Sequence, residues 1–313
     1  MRKGFGIGLS VLGGFLLMLA VLAQFWAPGQ LMKTPLDTDS TTLLEGTAEL
    51  GGSDDGELPV RAFSVTHADS ERSDDEVVVF QNSSCLVKDE GGIDSCVSAD
   101  DPDERLLSAS TDDFATDRRT AEAVNDATYL PPSAEEKEGL VNKWPFEAEK
   151  KSYDYWDGLS GQPVQAVYDR TETVDGVDLY VYSVSISEAP IELTAGVPGL
   201  YNDEKELWIE PTTGSIVNQI DAQERLDEDG NPFLALDLRF TEEQVAKNAE
   251  AAKDNADKLR LVTETVPLIG YAVGIPALLI GIALLLLSRR RDQSSDVESA
   301  HAGRHTGLSL KKS

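Results

Sequence analysis

Histidine and cysteine are nearly missing from this chain, whose 313 residues include three of the first and two of the second. Zinc sites draw on both, and nucleophilic catalysis sets a Ser or Cys beside a base, so neither chemistry has enough parts. His67 stands alone among strand-forming residues and reads as a surface position. His301 and His305 are four apart in a polar tail with no acid fixed nearby, which makes no metal site. No phosphate-cradling glycine loop occurs. The Asp-rich turns miss the EF-hand pattern, since Gly230 would need an acid where Arg225 stands. With 56 acidic residues, a carboxylate pair such as Asp154 and Asp157 follows from composition and is no sign of acid–base work. The expectation is no enzyme, no cofactor and no metal.

Basic residues are scarce as well, 27 against 56 acidic, for a net charge of −29. Nucleic acid, whose phosphates such a surface repels, is excluded as a partner. A balance this acidic reads as a solvated surface that keeps a domain soluble. The basic residues that exist include Arg2 and Lys3 at the start and Arg289, Arg290 and Arg291 near the other end, each set beside a run without charge. Phe5 to Trp26 is one run, and Thr265 to Ser288, roughly 36 Å as a helix, is the other. Both read as membrane helices with their basic ends in the cytoplasm. A cleaved signal peptide ending at Val21-Leu22-Ala23 competes for the first, but its apolar run is long for that. Gly4, Gly8, Ser10 and Gly14, with Gly270, Gly274 and Gly281, are candidates for close helix contact. Pro267 and Pro276 are expected to kink the second span.

Between the spans, Thr241-Glu242-Glu243-Gln244 fits a capping box that opens an amphipathic helix. Val245, Ala249, Ala252, Ala256 and Leu259 share one face, and the small-residue stripe suits a close neighbour, either the chain's own domain or a protein partner. Upstream, Thr41 to Leu50, Leu58 to Ala68, Glu76 to Phe80, Leu106 to Ser110 and Asp113 to Arg119 look extended. Asn125 to Glu138 reads as an exposed excursion. Val174-Asp175-Gly176-Val177 is the clearest hairpin signal, joining Val164 to Thr173 with Asp178 to Ser187. Pro211-Thr212-Thr213-Gly214 is a second turn, between Leu207 to Glu210 and Ser215 to Ile220. Phe233 to Phe240 alternates to put Leu234, Leu236, Leu238 and Phe240 inward.

The division that follows is a cytoplasmic N-terminus at 1–4, a membrane helix at 5–26, an extracellular β-rich ectodomain at 27–240, a stalk helix at 241–264, a second membrane helix at 265–288 and a basic cytoplasmic tail at 289–313. The protein would cross the cell membrane twice with both termini inside. In a cytosolic chain Cys85 and Cys96 would raise a metal or redox role; outside the membrane a disulfide closing a hairpin loop is expected. The densest aromatic cluster is Trp144, Phe146, Tyr153, Tyr155 and Trp156. Either it packs as core beneath a loop folded back on the sheet, or it forms the mouth of a cleft for acyl chains or sugar rings.

Several phrases occur together: Asp117-Arg118-Arg119-Thr120, Lys143-Trp144-Pro145-Phe146, Lys150 to Asp157, Leu207-Trp208-Ile209-Glu210-Pro211-Thr212-Thr213-Gly214, and Ala252 to Leu259. In these the chain resembles an actinobacterial family of two-helix envelope proteins labelled porin PorA, otherwise a domain of unknown function. The resemblance implies a membrane-anchored envelope protein and transfers no catalytic residues. The hairpins are also similar to the closing hairpins of bacterial lipoprotein-carrier half-barrels, which implies a curved antiparallel sheet. The expected function is an ectodomain that binds or holds an envelope lipid, glycolipid or partner protein. A pore is the alternative and an envelope enzyme the third reading. Against a barrel pore, the strands look short and acidic on both faces, and neither span carries an ionisable residue.

Overall fold

The computed structural model describes residues 2–52 and 56–302, and side chains up to residue 289. The tail beyond residue 302, with His305, and part of the glycine-rich turn after Leu50 lie outside the described residues. The chain divides into two compact units, residues 1–31 with 258–313 and residues 32–257.

The first unit is helical. Helix α1 (Arg2–Phe25), a short α2 (Ala27–Leu31), a π-helical turn (Leu261–Thr265) and α4 (Val266–Ala302) compose it. Among the described residues, two helices are long and apolar enough to cross a membrane. Their contact runs through small residues, but not all of those expected. A Cβ on Gly13 would come within 2.5 Å of the Leu278 backbone, and one on Gly281 within 2.4 Å of Ser10 Oγ. Gly270 faces Ala20, whereas Gly4, Gly8 and Gly14 face open space. The seam on α1 is therefore Gly6, Ser10, Gly13 and Ala20, a spacing of three to four with a longer step of seven, which keeps one helical face in contact. Tyr271 donates to Gln24 Oε1 at 2.8 Å across the same pair. Pro267 has no N–H to give, and its ring crowds the carbonyl four residues back, that of Thr263. The helix widens there into the π turn, and Val266 N–H reaches Leu261 O.

The second unit is an antiparallel sheet of ten strands among the described residues. They are β1 (Asp39–Leu50), β2 (Glu57–Ala68), β3 (Val77–Lys88), β4 (Leu106–Asp117), β5 (Tyr153–Asp157), β6 (Gln162–Val174), β7 (Val177–Thr194), β8 (Val197–Glu210), β9 (Ser215–Asp227) and β10 (Pro232–Phe240). Their order is β4-β3-β2-β1-β10-β9-β8-β7-β6-β5. The strands are not short: β7 has 18 residues and most others 12 to 14, so length does not argue against a barrel. Asp175 and Gly176 both take positive φ, 50° and 79°, as a two-residue hairpin turn of the twist-matching kind requires. The edge strands β4 and β5 are linked by single bridges, Thr116 to Ala123, Glu122 to Leu140 and Leu140 to Tyr155. The sheet is thus curled, its two edges tied at one end by the segment between them. That segment is no exposed excursion. Val124, Tyr129 and Leu130 pack on Val77, Val79 and Ala115, and buried Lys137 pairs with Asp112 at 3.1 Å.

The inner face carries Leu44, Ala48, Leu234, Leu236, Leu238 and Phe240 as one apolar cluster. The outer face is covered by helix α3 (Glu242–Arg260), whose Ala249 and Ala252 pack on Val177, Leu179, Val181, Trp208 and Val217. Asn248 donates to the Val217 carbonyl at 3.3 Å. The alanine stripe is therefore spent on the chain's own sheet and not left for a partner. Thr241 Oγ1 accepts from Gln244 N–H at 3.1 Å, but the Gln244 side chain takes the Leu43 N–H in place of closing the capping box.

Cys85 and Cys96 are joined in a disulfide. It pins a loop whose Ile93 packs with Phe63, Cys85 and Val87 on the outer face. Replacing both cysteines with alanine is expected to cost about 3 kcal/mol by loop entropy. The check is the melting temperature, which should fall in oxidising buffer and match that of reduced wild type; equal melting of variant and oxidised wild type would refute it.

Candidate functional site

A cavity of about 1130 Å³ lies against the inner face of the sheet. Its wall is built by alternation. Inward positions Ser64 on β2, Asn82 and Ser84 on β3 and Ser108, Ser110 and Asp112 on β4 give a hydroxyl and amide ladder. Asn82 donates to Ser64 and Thr66 at 2.8 Å each, and Ser84 meets Ser110 at 2.8 Å. Leu44, Ala62, Leu86, Leu236 and Leu238 supply an apolar wall beside it. Glu135, Lys137 and Leu159 from the edge-tying segments and the turn after β5 complete the lining. The surface is amphipathic: one side suits an apolar chain, the other a hydroxylated group.

Along β9 the inward positions are Gln219, Asp221, Gln223 and Arg225, all on the cavity. A bulge at Val217 sets this phase, because Trp208 pairs with Asn218 while Ile209 pairs with Ile216. The extra residue turns Val217 outward to α3 and leaves Ile216 and Gln219 both inward. On β8, Tyr201, Asp203 and Lys205 face Arg225, Gln223 and Asp221. Lys205 Nζ is 3.0 Å from Asp203, 3.2 Å from Asp221 and 3.9 Å from Asp157. All four side chains are buried. Burial works against the charge on Lys205, but the carboxylates of Asp221 and Asp203 outweigh it and hold its pKa well above the ordinary value. Asp203 is pushed up to about 7, first by burial and then by neighbouring Asp221, with Lys205 opposing.

That rise has a sign. Asp203 ordinarily titrates at 3.8, so between there and about 7 the folded chain binds more protons than the unfolded chain. Its contribution is fully present below 3.8 and is lost as pH rises through 7. Asp203→Asn should remove this decline. Thermal melts from pH 4 to 8 should show the variant gaining on wild type as pH rises; a constant difference would refute the assignment.

The five aromatic residues singled out in the sequence lie elsewhere. Trp144 is wholly buried, with its ring 5.5 Å from that of Tyr155 and 5.1 Å from that of Tyr182. Tyr153 meets Tyr182 edge-on at 5.8 Å, and Trp156 packs near Lys137. Phe146 is half-buried under Lys143 Nζ, 3.7 Å from its ring centre. Burial pushes Lys143 down to about 7. None of the five lines the cavity. Sequence reading missed the real lining because serines and glutamines at alternate positions look like a solvated face. The available signal was that β8 and β9 are polar on both faces, although the chain order places them mid-sheet.

Residues 5–283 match the family described as Porin PorA. The chain belongs to the Porin PorA family. It is 27% identical over 232 residues to a Porin PorA of Corynebacterium amycolatum, covering 59% of this chain and 58% of that protein, so it spans less than two thirds of that relative. A Porin PorA of Corynebacterium resistens is 22% identical over 336 residues, covering 77% and 79%. A LolA superfamily protein of Nitrosomonas europaea, at 12% identity, covers 72% of this chain and 90% of its own. Its TM-score of 0.15 is too low to carry an argument. Four of the phrases that mark the PorA resemblance meet at the turn after β8, where Trp144 N–H reaches the Gly214 carbonyl and Phe146 N–H the Arg119 carbonyl, while Ala252 to Leu259 lies on α3. Asp117 Oδ1 accepts from Arg119 and Thr120 N–H, and Arg118 Nε donates to the Thr34 carbonyl at 2.8 Å. The Glu210 carboxylate takes the N–H groups of Thr212 and Thr213, and a Cβ on Gly214 would lie 2.0 Å from the Trp144 carbonyl. In this PorA chain the phrases form turns, the buried segment at Trp144 and parts of β5, β8 and α3, and so identify the family without naming an activity.

Proposed function

We propose that this protein is a membrane-anchored envelope protein whose barrel domain holds an amphipathic molecule of the envelope. The observation that carries the reading is the cavity, about 1130 Å³, with serines and Asn82 on one wall and Leu44, Leu86, Leu236 and Leu238 on the other. Pockets of 300–1,000 Å³ take up roughly one drug-sized ligand, so this one has room for a head group and part of a chain. Membrane placement follows from the apolar helices, with Arg2, Lys3 and Arg289 marking cytoplasmic ends and the barrel outside. No catalytic group is needed for this role. Mass spectrometry of molecules that co-purify with the full chain tests it; an enriched lipid or glycolipid is expected, and a chain free of any such molecule would overturn it.

The family description favours a second reading, a pore. The barrel itself is poorly suited to lipid, since its outward positions include Glu45, Glu49, Glu204, Glu206 and Asp237, and charge on a lipid face is costly. Conduction would have to come from several copies of the helical unit, whose spans have no ionisable side chain to line it. Planar-bilayer recordings with the purified chain distinguish the two: steady conductance steps would favour the pore, silence the binding role.

A further inference from the structure

The inner wall between β8 and β9 holds buried polar groups that the chain leaves unpaired. Tyr201 is fully buried and its hydroxyl has no hydrogen-bond partner among the described residues. Oδ1 of Asp203, Oδ1 of Asp221 and Nε of Arg225 also lack one among the described residues, Asp203 Oδ2 being held by the Lys205 ammonium at 3.0 Å, although Asp203 and Asp221 are 1% and 4% exposed. Lys205 answers the two carboxylates by charge, not by a full set of hydrogen bonds. Native proteins rarely bury groups of this kind without a partner, and a cluster of them calls for one. Asp221 and Arg225 also line the cavity, so the cluster is continuous with it.

We propose that Tyr201, Asp203, Asp221 and Arg225 form a subsite for the hydroxyl groups of a sugar. The inference rests on the amphiphile-holding role above and names its polar part. A sugar hydroxyl both donates and accepts. It can give its proton to a carboxyl oxygen of Asp203 or Asp221 and receive one from Tyr201 or Arg225. Charge narrows the choice further. A phosphate head would meet Asp157, Asp203 and Asp221, and a quaternary ammonium would meet Lys205 and Arg225. A neutral polyol uses both sets with no net charge to bury. The serine ladder at Ser64, Ser84 and Ser110 offers further hydroxyl partners on the facing wall.

The test uses the full chain held in amphipol, titrated calorimetrically with n-octyl-β-D-glucoside and with n-octylphosphocholine below their micelle concentrations. The glucoside is expected to bind about tenfold tighter, the value of one hydrogen bond to a charged group. Tyr201→Phe should lose about that factor for the glucoside, leave the phosphocholine unchanged and leave the melting temperature unchanged, since the hydroxyl makes no bond in the free chain. Asp203→Asn should lose glucoside affinity too while remaining folded. If both amphiphiles bind wild type alike and both variants bind the glucoside as wild type does, the subsite is refuted and the cavity role stands. If neither amphiphile binds wild type, the cavity role falls and the subsite with it.

Discussion

Trp144→Ala is expected to cost about 3–5 kcal/mol of unfolding free energy, the range for removing a buried large aromatic. The ring is wholly buried between Tyr155 and Tyr182, and its indole N–H makes no hydrogen bond, so the loss is one of packing. The backbone at Trp144 is also held, its N–H on the Gly214 carbonyl at 2.8 Å, so the segment does not simply collapse into the hole. Urea unfolding of the variant measures the cost. A loss under about 1 kcal/mol would mean that the ring belongs to a yielding binding surface and not to the core.

Ala252→Glu is the second large effect. Ala252 is 2% exposed and packs on Leu179, Val181 and Trp208 through α3. A carboxylate there has no room, and Arg170 over the Trp208 ring is already held by Asp169, Glu172 and Glu206, so the alternatives are to bury a poorly paired charge or to lift the helix from the sheet. Lifting uncovers the outer faces of β7, β8 and β9. The expected result is a drop of several kcal/mol in stability and rapid proteolysis near residue 252, since a single buried unpaired charge is among the largest known point effects. Protease resistance equal to wild type would contradict the packing of α3.

Much of the fold was legible from local chemistry. The Asp175-Gly176 turn, the inward leucines of β10 and the disulfide loop each follow from residue types whose backbone or burial preferences leave little choice. What was not legible depends on distant pairing. Strand β5 reads as part of an aromatic cluster because its strand character comes from β6 beside it. Strand β7 runs past Glu188-Ala189-Pro190, which looks like a break but is a bulge with Glu188 at φ 51°. Leu106 to Ser110 and Asp113 to Arg119 read as two pieces, but residues 106–117 form the single strand β4, because β3, which extends to Lys88 beyond the Glu76 to Phe80 that the sequence suggests, pairs along its whole length. The cavity wall was least legible, since the same Ser, Gln and Asp alternation marks a solvated face or a polar cavity, and only the curl of the sheet decides.

Whether the cavity is occupied in the envelope is tested most directly by Ser84→Trp, since that side chain projects among Ser64, Ser110 and Leu86. Wild type and variant would be expressed in the native envelope, extracted alike, and their bound molecules quantified by mass spectrometry alongside their melting curves. A stoichiometric amphiphile is expected on wild type, and its loss, by tenfold or more on the scale of one blocked site, from a variant that still melts cooperatively. Equal amounts on both folded proteins would contradict it.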